Sequence, residues 1–375
     1  MGKLAVIGAS YLQLPLVLKA KELGHTVHCF AWKDGAVCEG VADSFYPISI
    51  TDKEAILEEC RRIGIDGVLT IASDLAVLTV NYVAAKMGLP GNDDSYSAMM
   101  TNKYLMRKAF RENGIPCPSF FEVSPESPLD ESAIGPWPLI VKPTDRSGSR
   151  GVEKVSDTEH LRKAISFAME ESLRKEAIVE SFVEGREISV ESISWEGRHY
   201  VLQITDKVTT GAPYFIELEH HQPSSLPEDI KAQVRELVPR ALDALHITAG
   251  ASHTEIKITP EGKLFIIEIG ARMGGDFIGS DLVRLSTGYD FLQGVIDVAL
   301  GQFKEPVMGK KAYSGVYFLS EETKGLIRYF EHPEILADTV VEAGITDPVL
   351  RPIRCSADRS GYLIYRSETS KLDLK

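Results

Sequence analysis

Two glutamates in one expected hairpin are the residues of this chain whose spacing most clearly suggests chemistry. In HTEIKITPEGKLFIIEIG, Glu255 and Glu268 lie on either side of the turn TPEG. With Thr259 opposite Gly262, Glu268 faces His253 and lies diagonal to Glu255 on the same sheet face, so the two carboxylates converge. The second strand, LFIIEIG, is apolar on both parities, and an unpaired charge within it would be costly. A hard cation relieves that cost, and Mg²⁺ is commonly held by one or two carboxylates plus nucleotide phosphates. The bland alternative is an ion pair with Lys257 or a solvated hairpin. Four residues after Glu268 stands Arg272, among the glycines of GARMGGDFIGSD. A guanidinium there can reach a phosphoryl group in transfer or the oxyanion of a tetrahedral intermediate, although a lone arginine in a glycine turn is more often structural.

A second group of residues suits phosphate and nucleoside. Lys142 ends the apolar run PLIVKP and is followed within nine residues by Ser147, Gly148, Ser149 and Gly151. Glycines allow close backbone approach, and successive N–H groups with serine hydroxyls and a lysine can cradle polyphosphate. The loop is not a Walker A loop, because GxxxxGK[ST] is absent, and taken alone it also reads as a mobile hairpin. Further on, Glu180 and Glu187 flank a turn at Glu184 and Gly185 in VESFVEGREISVE. A carboxylate can accept from an adenine amino group or a ribose hydroxyl, and the same residues also fit an ordinary surface hairpin.

The elements that must position these residues alternate at first between strand and helix. LAVIG, LPLVLKAKELG and TVHCF form a βαβ opening, continued by a helix near 52–63, the strand GVLTI and a helix over 74–87. Such alternation implies a parallel sheet with covered faces. GASYLQ lacks the later glycines of GxGxxG, which argues against a dinucleotide site. Past residue 97 come the helix KYLMRKAFRENG, a proline-rich connector, the strand and hairpin segments already described, a helix over 229–245, and a third unit read as the strands SGVYFL, GLIRYF and GYLIYR. Boundaries are expected at 1–97, 98–304 (with a small lobe at about 116–185) and 305–375.

The 375 residues suffice for two or three compact units. A net charge of −13 without charge blocks repels phosphate backbones and argues against nucleic acid as a partner. Five dispersed cysteines, Cys29, Cys38, Cys60, Cys117 and Cys355, include no CxxC pair and fit a reducing cytosol. No signal peptide or membrane span is read, so a cytoplasmic location is expected.

The order of these parts resembles the ATP-grasp superfamily, in its biotin-carboxylase-like branch, over nearly the whole chain. TNKYLMRKAF, IVKPTDRSGSRGV, VESFVEGREISVE and HTEIKITPEGKLFIIEIGARMGGD carry the resemblance. It implies an α/β fold: an N-terminal βαβ parallel-sheet domain, an ATP-grasp module holding ATP between two antiparallel-sheet lobes, and a small C-terminal β-rich domain. By the same resemblance Lys103 and Lys142 look like phosphate-contacting lysines, and Ser147, Gly148, Ser149 and Gly151 belong to a lid over the phosphates. Glu180, Ser181 and Val183 look like the adenine hinge and Glu187 like the ribose contact. Glu255 and Glu268 resemble Mg²⁺ carboxylates, with Mn²⁺ an alternative occupant, and Arg272 resembles the arginine that steadies an acyl phosphate. His253, Arg272 and Gly275 would border the substrates. Gly270 stands where many members have asparagine, which bears on a second metal.

The GARMGGD wording and the loop TDKVTTGAPYFIELEHHQP are more similar to the L-amino-acid ligases than to other branches. The implied activity is an ATP-dependent, ADP-forming ligase that makes an acyl phosphate from a small-molecule carboxylate and joins it to an amine. A homodimer is compatible with the resemblance. The alternatives are a carboxyphosphate-forming, carbamoyl-phosphate-synthase-like enzyme using bicarbonate, and a non-catalytic ATP-binding sensor.

Overall fold

A computed structural model describes residues 1–148, 150–212 and 214–374. The N-terminal alternation folds as its pattern requires: β1 (Lys3–Ile7), α1 (Leu14–Glu22), β2 (Thr26–Phe30), β3 (Ser44–Tyr46), α2 (Lys53–Ile63), β4 (Gly67–Leu69) and α3 (Asp74–Met87). The strands form a parallel sheet in the order β3-β2-β1-β4. Local signals set the helix ends. The Asp52 side chain accepts from the Ala55 N–H to start α2, and Gly64 in the left-handed region ends it.

After α4 (Ser97–Thr101), Asn102 caps α5 (Lys103–Glu112), whose Met106, Ala109 and Phe110 bury one face at helical spacing. A small antiparallel sheet follows, with β5 (Phe120–Val123), β6 (Leu139–Pro143), β7 (Glu153–Val155) and β8 (Ala177–Ser181) in the order β5-β8-β6-β7. Between β7 and β8, α6 (Thr158–Glu171) covers this sheet with Leu161, Ala164, Ile165 and Ala168, in a core separate from the others.

The largest sheet comprises β9 (Arg186–Trp195), β10 (Arg198–Thr209), β11 (Glu217–Gln222), β12 (Gly250–Ile258), β13 (Leu264–Gly270), β14 (Tyr313–Leu319), β15 (Val340–Ile345) and β16 (Gly361–Ser367). Its order is β13-β12-β9-β10-β11-β14-β16-β15, antiparallel throughout. Pairing of β11 with β14 makes the last three strands extend this sheet, so residues 305–375 form no sheet of their own among the described residues. Four helices accompany it: α7 (Glu228–Ala244), α8 (Val283–Thr287), α9 (Phe291–Ala299) and α10 (Ile327–Glu331). Helix α9 packs into the same core as β1, β2 and β4, joining the N-terminal unit to the large lobe. No helix among the described residues is long and apolar enough to cross a membrane.

One expected strand is wrong. GLIRYF is helical, entering α10 through a 3₁₀ turn that opens with a Ser320/Thr323 capping box. Its buried residues, Leu326 and Phe330, are four apart, which suits a helix face and not a strand.

Gly185, just before β9, is the tightest point of the large lobe's entry. Its φ is +146°, and a Cβ there would lie 2.0 Å from the Ile258 carbonyl oxygen at the end of β12. Gly197 also has positive φ but open space around it. Gly185→Ala is therefore expected to lower stability by about 2 kcal/mol or more, and Gly197→Ala by about 1 kcal/mol. Thermal melts of the two variants beside wild type check that ordering, and equal losses would contradict it.

Candidate active site

The glutamate hairpin brings its two carboxylates closer than the sequence reading placed them. Glu255 is paired directly with Glu268, and His253 with Gly270. Two features move the register from the expected diagonal. The turn closes with Thr259 opposite Lys263, not Gly262, and a bulge at Ile267 adds one further residue to β13. The Arg107 guanidinium donates to the carbonyl of Ile267, satisfying an oxygen that the bulge leaves outside the ladder.

Like charges directly opposite each other destabilise a sheet, and here each carboxylate holds a lysine. Lys103, the first residue of α5, donates to Glu268 at 2.7 Å. Lys207 on β10 donates to Glu255 at 2.6 Å. The expected partner Lys257 instead pairs with Glu187 at 3.1 Å. Lys103 is held in place at both ends: its N–H donates to the Thr144 carbonyl just beyond β6, and its ammonium to the Arg146 carbonyl in the glycine-rich loop. Burial raises the cost of charge on Glu255, but Lys207 and His253 outweigh it and hold the carboxyl well below its ordinary pKa.

In the small lobe, Lys142 at the end of β6 is almost fully buried, and its ammonium lies 2.7 Å from Glu180 on the neighbouring β8. The other Glu180 oxygen is 2.7 Å from Arg107, so both oxygens of the expected adenine contact face cations. Burial pushes the Lys142 ammonium down, with Glu180 opposing. The Ser181 N–H donates to the Ser119 carbonyl and its hydroxyl accepts from the Ser119 N–H, tying β8 to the chain before β5. Val183 is half-buried beside the turn, and Glu187 lies 2.8 Å from Lys207. Ser147 and Gly148 are exposed and Gly151 is half-buried, while Ser149 lies outside the described residues.

The glycine turn after β13 meets the N-terminal unit. Arg272 pairs with Asp74, the first residue of α3, at 2.9 Å, and its Nε has no hydrogen-bond partner among the described residues. Burial resists the charge on Asp74, but Arg272, then Lys103 and His253, keep its pKa low. Gly270 leaves room for this pair: a Cβ there would stand 2.8 Å from both the Arg272 Cζ and an Asp74 oxygen. Gly275 packs toward Ala72 and Leu12, and the next residue, Asp276, is clamped by Arg359 at 2.6 and 2.8 Å.

His253 bonds Glu191, which is fully buried on β9 and also accepts from the Gly274 N–H at 3.0 Å. Burial disfavours the imidazolium, yet Glu191 and Glu255 hold its pKa up to about 9. Glu191, Lys207, Arg107, Asp74 and Arg359 were all missed by the sequence reading. Glu191 carried a legible signal, a carboxylate inside the apolar run ISVESIS, the same signal that marked Glu268. The others gave none, because their partners are distant in sequence.

Lys103, Lys142 and Arg272 supply positive charge suited to phosphate: Lys103 pairs with Glu268, and the Glu268 charge favours the charged forms of Lys142 and Arg272. Glu255 and Glu268, adjacent hard oxygen donors each about a quarter exposed, fit a hard divalent cation such as Mg²⁺. Among the described residues no group of three or more His, Cys, Asp or Glu is gathered as a metal cage.

A protein-family model described as an ATP-grasp domain matches residues 135–281. The alanine–anticapsin ligase of Bacillus subtilis (strain 168) is 27% identical over 271 residues, covering 65% of this chain and 56% of its own. The chain spans just over half the length of the first curated relatives it matches, 54% and 56%. Among solved structures, an L-amino acid ligase from Bacillus licheniformis superposes with a TM-score of 0.79 at 24% identity, over 98% of this chain and 94% of that one. An N5-carboxyaminoimidazole synthetase from Staphylococcus aureus complexed with ADP gives 0.76 at 16% identity, over 97% and 92%. Motif order, matched domain and fold agree: residues 135–281 match an ATP-grasp domain, and the chain has the α/β ATP-grasp fold.

Proposed function

We propose that this chain is an ATP-dependent carboxylate–amine ligase that forms an acyl phosphate and then an amide bond, acting on amino acids or similar small molecules. The observation that carries this reading is the gathering of Lys103, Lys142, Arg272 and Glu255 about Glu268: Lys103 by an ion pair, Glu255 as its partner across the hairpin, and Lys142 and Arg272 near enough to feel its charge. Similarity to an alanine–anticapsin ligase and to an L-amino acid ligase supports the substrate class.

In this reading Lys103 and Lys142 leave their carboxylate partners for the phosphates of ATP, and the Ser147–Gly151 loop covers them. Glu255 and Glu268 would hold Mg²⁺, which when bound neutralises phosphate charge. The substrate carboxylate attacks the γ-phosphorus in line, ADP departs, and an acyl phosphate forms. Arg272, fixed by Asp74, stabilises charge on that group. The amine then attacks the acyl carbon and phosphate leaves. No side chain acts as a nucleophile, and the protein contributes positioning and preorganised charge. His253, held by Glu191, borders the substrates with Arg272 and Gly275.

Glu255→Gln and Glu268→Gln are each expected to lower ADP formation by about 10² to 10³ while the fold persists. The measurement is ADP release over a matrix of paired amino acids, with mass spectrometry of the product and a thermal melt of each variant. Wild-type turnover in both variants would refute their role, and ADP release that needs bicarbonate and ignores every amino acid would refute the substrate class.

Trypsin cleavage after Arg150 is expected to slow when an ATP analogue and Mg²⁺ are present, because the loop then closes. Equal cutting rates with and without nucleotide would argue against a lid.

His253 gives a pH dependence. Its folded pKa of about 9 lies above the ordinary 6.5, so its stabilising contribution is fully present below about pH 6.5 and is lost as pH rises through about 9. Glu191→Gln removes the partner. The Tm difference between wild type and this variant should be large at pH 6.5 and shrink by pH 9.5, and a constant difference would show that the pair does not titrate this way.

A further inference from the structure

Lys207 is the most heavily partnered cation near the site, and neither the sequence motifs nor the proposed mechanism uses it. Its ammonium, almost fully buried, lies 2.8 Å from Glu187 on β9, 3.4 Å from Glu217 on β11 and 2.6 Å from Glu255 on β12. One lysine therefore stands where the ribose-contact glutamate and a metal-ligand glutamate meet. His253 faces Glu255 from 3.6 Å, Lys257 faces Glu187 at 3.1 Å, and Glu217 also feels the charge of Arg359. On the far side of the glutamate pair, Glu268 is occupied in the same way by Lys103.

We propose that Lys207 is a positioning residue that holds the cation position beside Glu255, so that the divalent metal enters with the nucleotide and not before it. The inference rests on the reading of Glu255 and Glu268 as metal carboxylates. Each of them already has an ammonium within 2.7 Å, and a bare divalent ion would have to displace both lysines and shed water that Mg²⁺ gives up reluctantly. Phosphates change the balance. They draw Lys103 away from Glu268 and bring their own oxygens to the ion. Lys207 then needs only to turn from Glu255, because Glu187 and Glu217 continue to hold it. Three carboxylates around one lysine thus keep it at the site in both states, where a single partner would let it swing into solvent.

The test counts free Mn²⁺ by electron paramagnetic resonance in titrations of the full chain, with and without a non-hydrolysable ATP analogue, against an analogue-only control. Nucleotide-free wild type is expected to bind Mn²⁺ at least about tenfold more weakly than the analogue-bound protein. Lys207→Met should gain about tenfold or more in nucleotide-free Mn²⁺ affinity, Lys207→Arg should stay as weak as wild type, and adding Glu255→Gln to Lys207→Met should cancel the gain. Equal Mn²⁺ affinity of wild type with and without the analogue overturns the proposal without any variant. Should Lys207→Met not fold by circular dichroism, Lys207→Gln serves in its place. A folded Met or Gln variant that binds no better than wild type, while Glu255→Gln still weakens analogue-dependent binding, overturns the role of Lys207 and leaves the metal reading standing. Unchanged analogue-dependent binding in Glu255→Gln removes the metal reading and the proposal with it.

Discussion

Two like charges facing each other across a buried pair of strands are the constraint around which the molecule is arranged. Glu255 opposite Glu268 is unfavourable unless cations reach it from outside the hairpin. The hairpin's own lysines do not reach: Lys257 turns to Glu187 and Lys263 sits beyond the turn. The ammonium groups come instead from α5 and β10, elements far away in sequence. Helix α5 must begin beside the end of β6 for Lys103 to arrive, and the Lys103 N–H bond to Thr144 fixes that junction. Strand β10 must lie next to β9 for Lys207 to point at β12 from two strands away. The electrostatic demand of one residue pair thus constrains the docking of the small lobe and the order of the large sheet.

Arg107 shows how tightly backbone irregularity and charge are linked. The bulge at Ile267 completes the shift, begun at the turn, from a diagonal glutamate pair to a direct one, and it frees a carbonyl that a buried guanidinium takes up. The same guanidinium faces Glu180, the partner of Lys142. A single fully buried side chain therefore ties the bulge of the large lobe to the ion pair of Lys142 and Glu180 in the small one. Loss of one member of such a buried network typically costs about 3 to 5 kcal/mol, because the remaining charges are left without compensation.

Much of this was legible from spacing. The βαβ opening, the apolar run ending at Lys142, and the hairpin with an acid in an apolar strand all announce themselves through local periodicity, and local periodicity is what burial imposes. Register is different. A three-residue turn and a one-residue bulge together shifted the pairing by two, and neither leaves a signature beyond Gly262. GLIRYF failed for a related reason: six residues with mixed apolar spacing fit either period, and the Ser320 cap decided the outcome. Asp74 and Arg359 could not be read at all, since what makes them part of the site is a partner roughly eighty to two hundred residues away.

Core packing divides the site into a fixed part and a separately supported part. Helix α9 and β1, β2 and β4 share one core with Met273 of the glycine turn, so Arg272, Asp74 and the turn are set by a single packed unit. The small lobe has its own core of β5 to β8 and α6 residues, and it carries Lys142, Glu180 and the glycine-rich loop. Arg107 and Lys103, both on α5, carry charged contacts between it and the rest. Helix α5 packs by Met106 and Phe110 into the core of the large lobe and not into that of the small one. The cations that would meet phosphate are therefore divided between two bodies, with α5 as the element that fixes their separation. A nucleotide bridging Lys103 and Lys142 would be reading the distance between those two bodies directly.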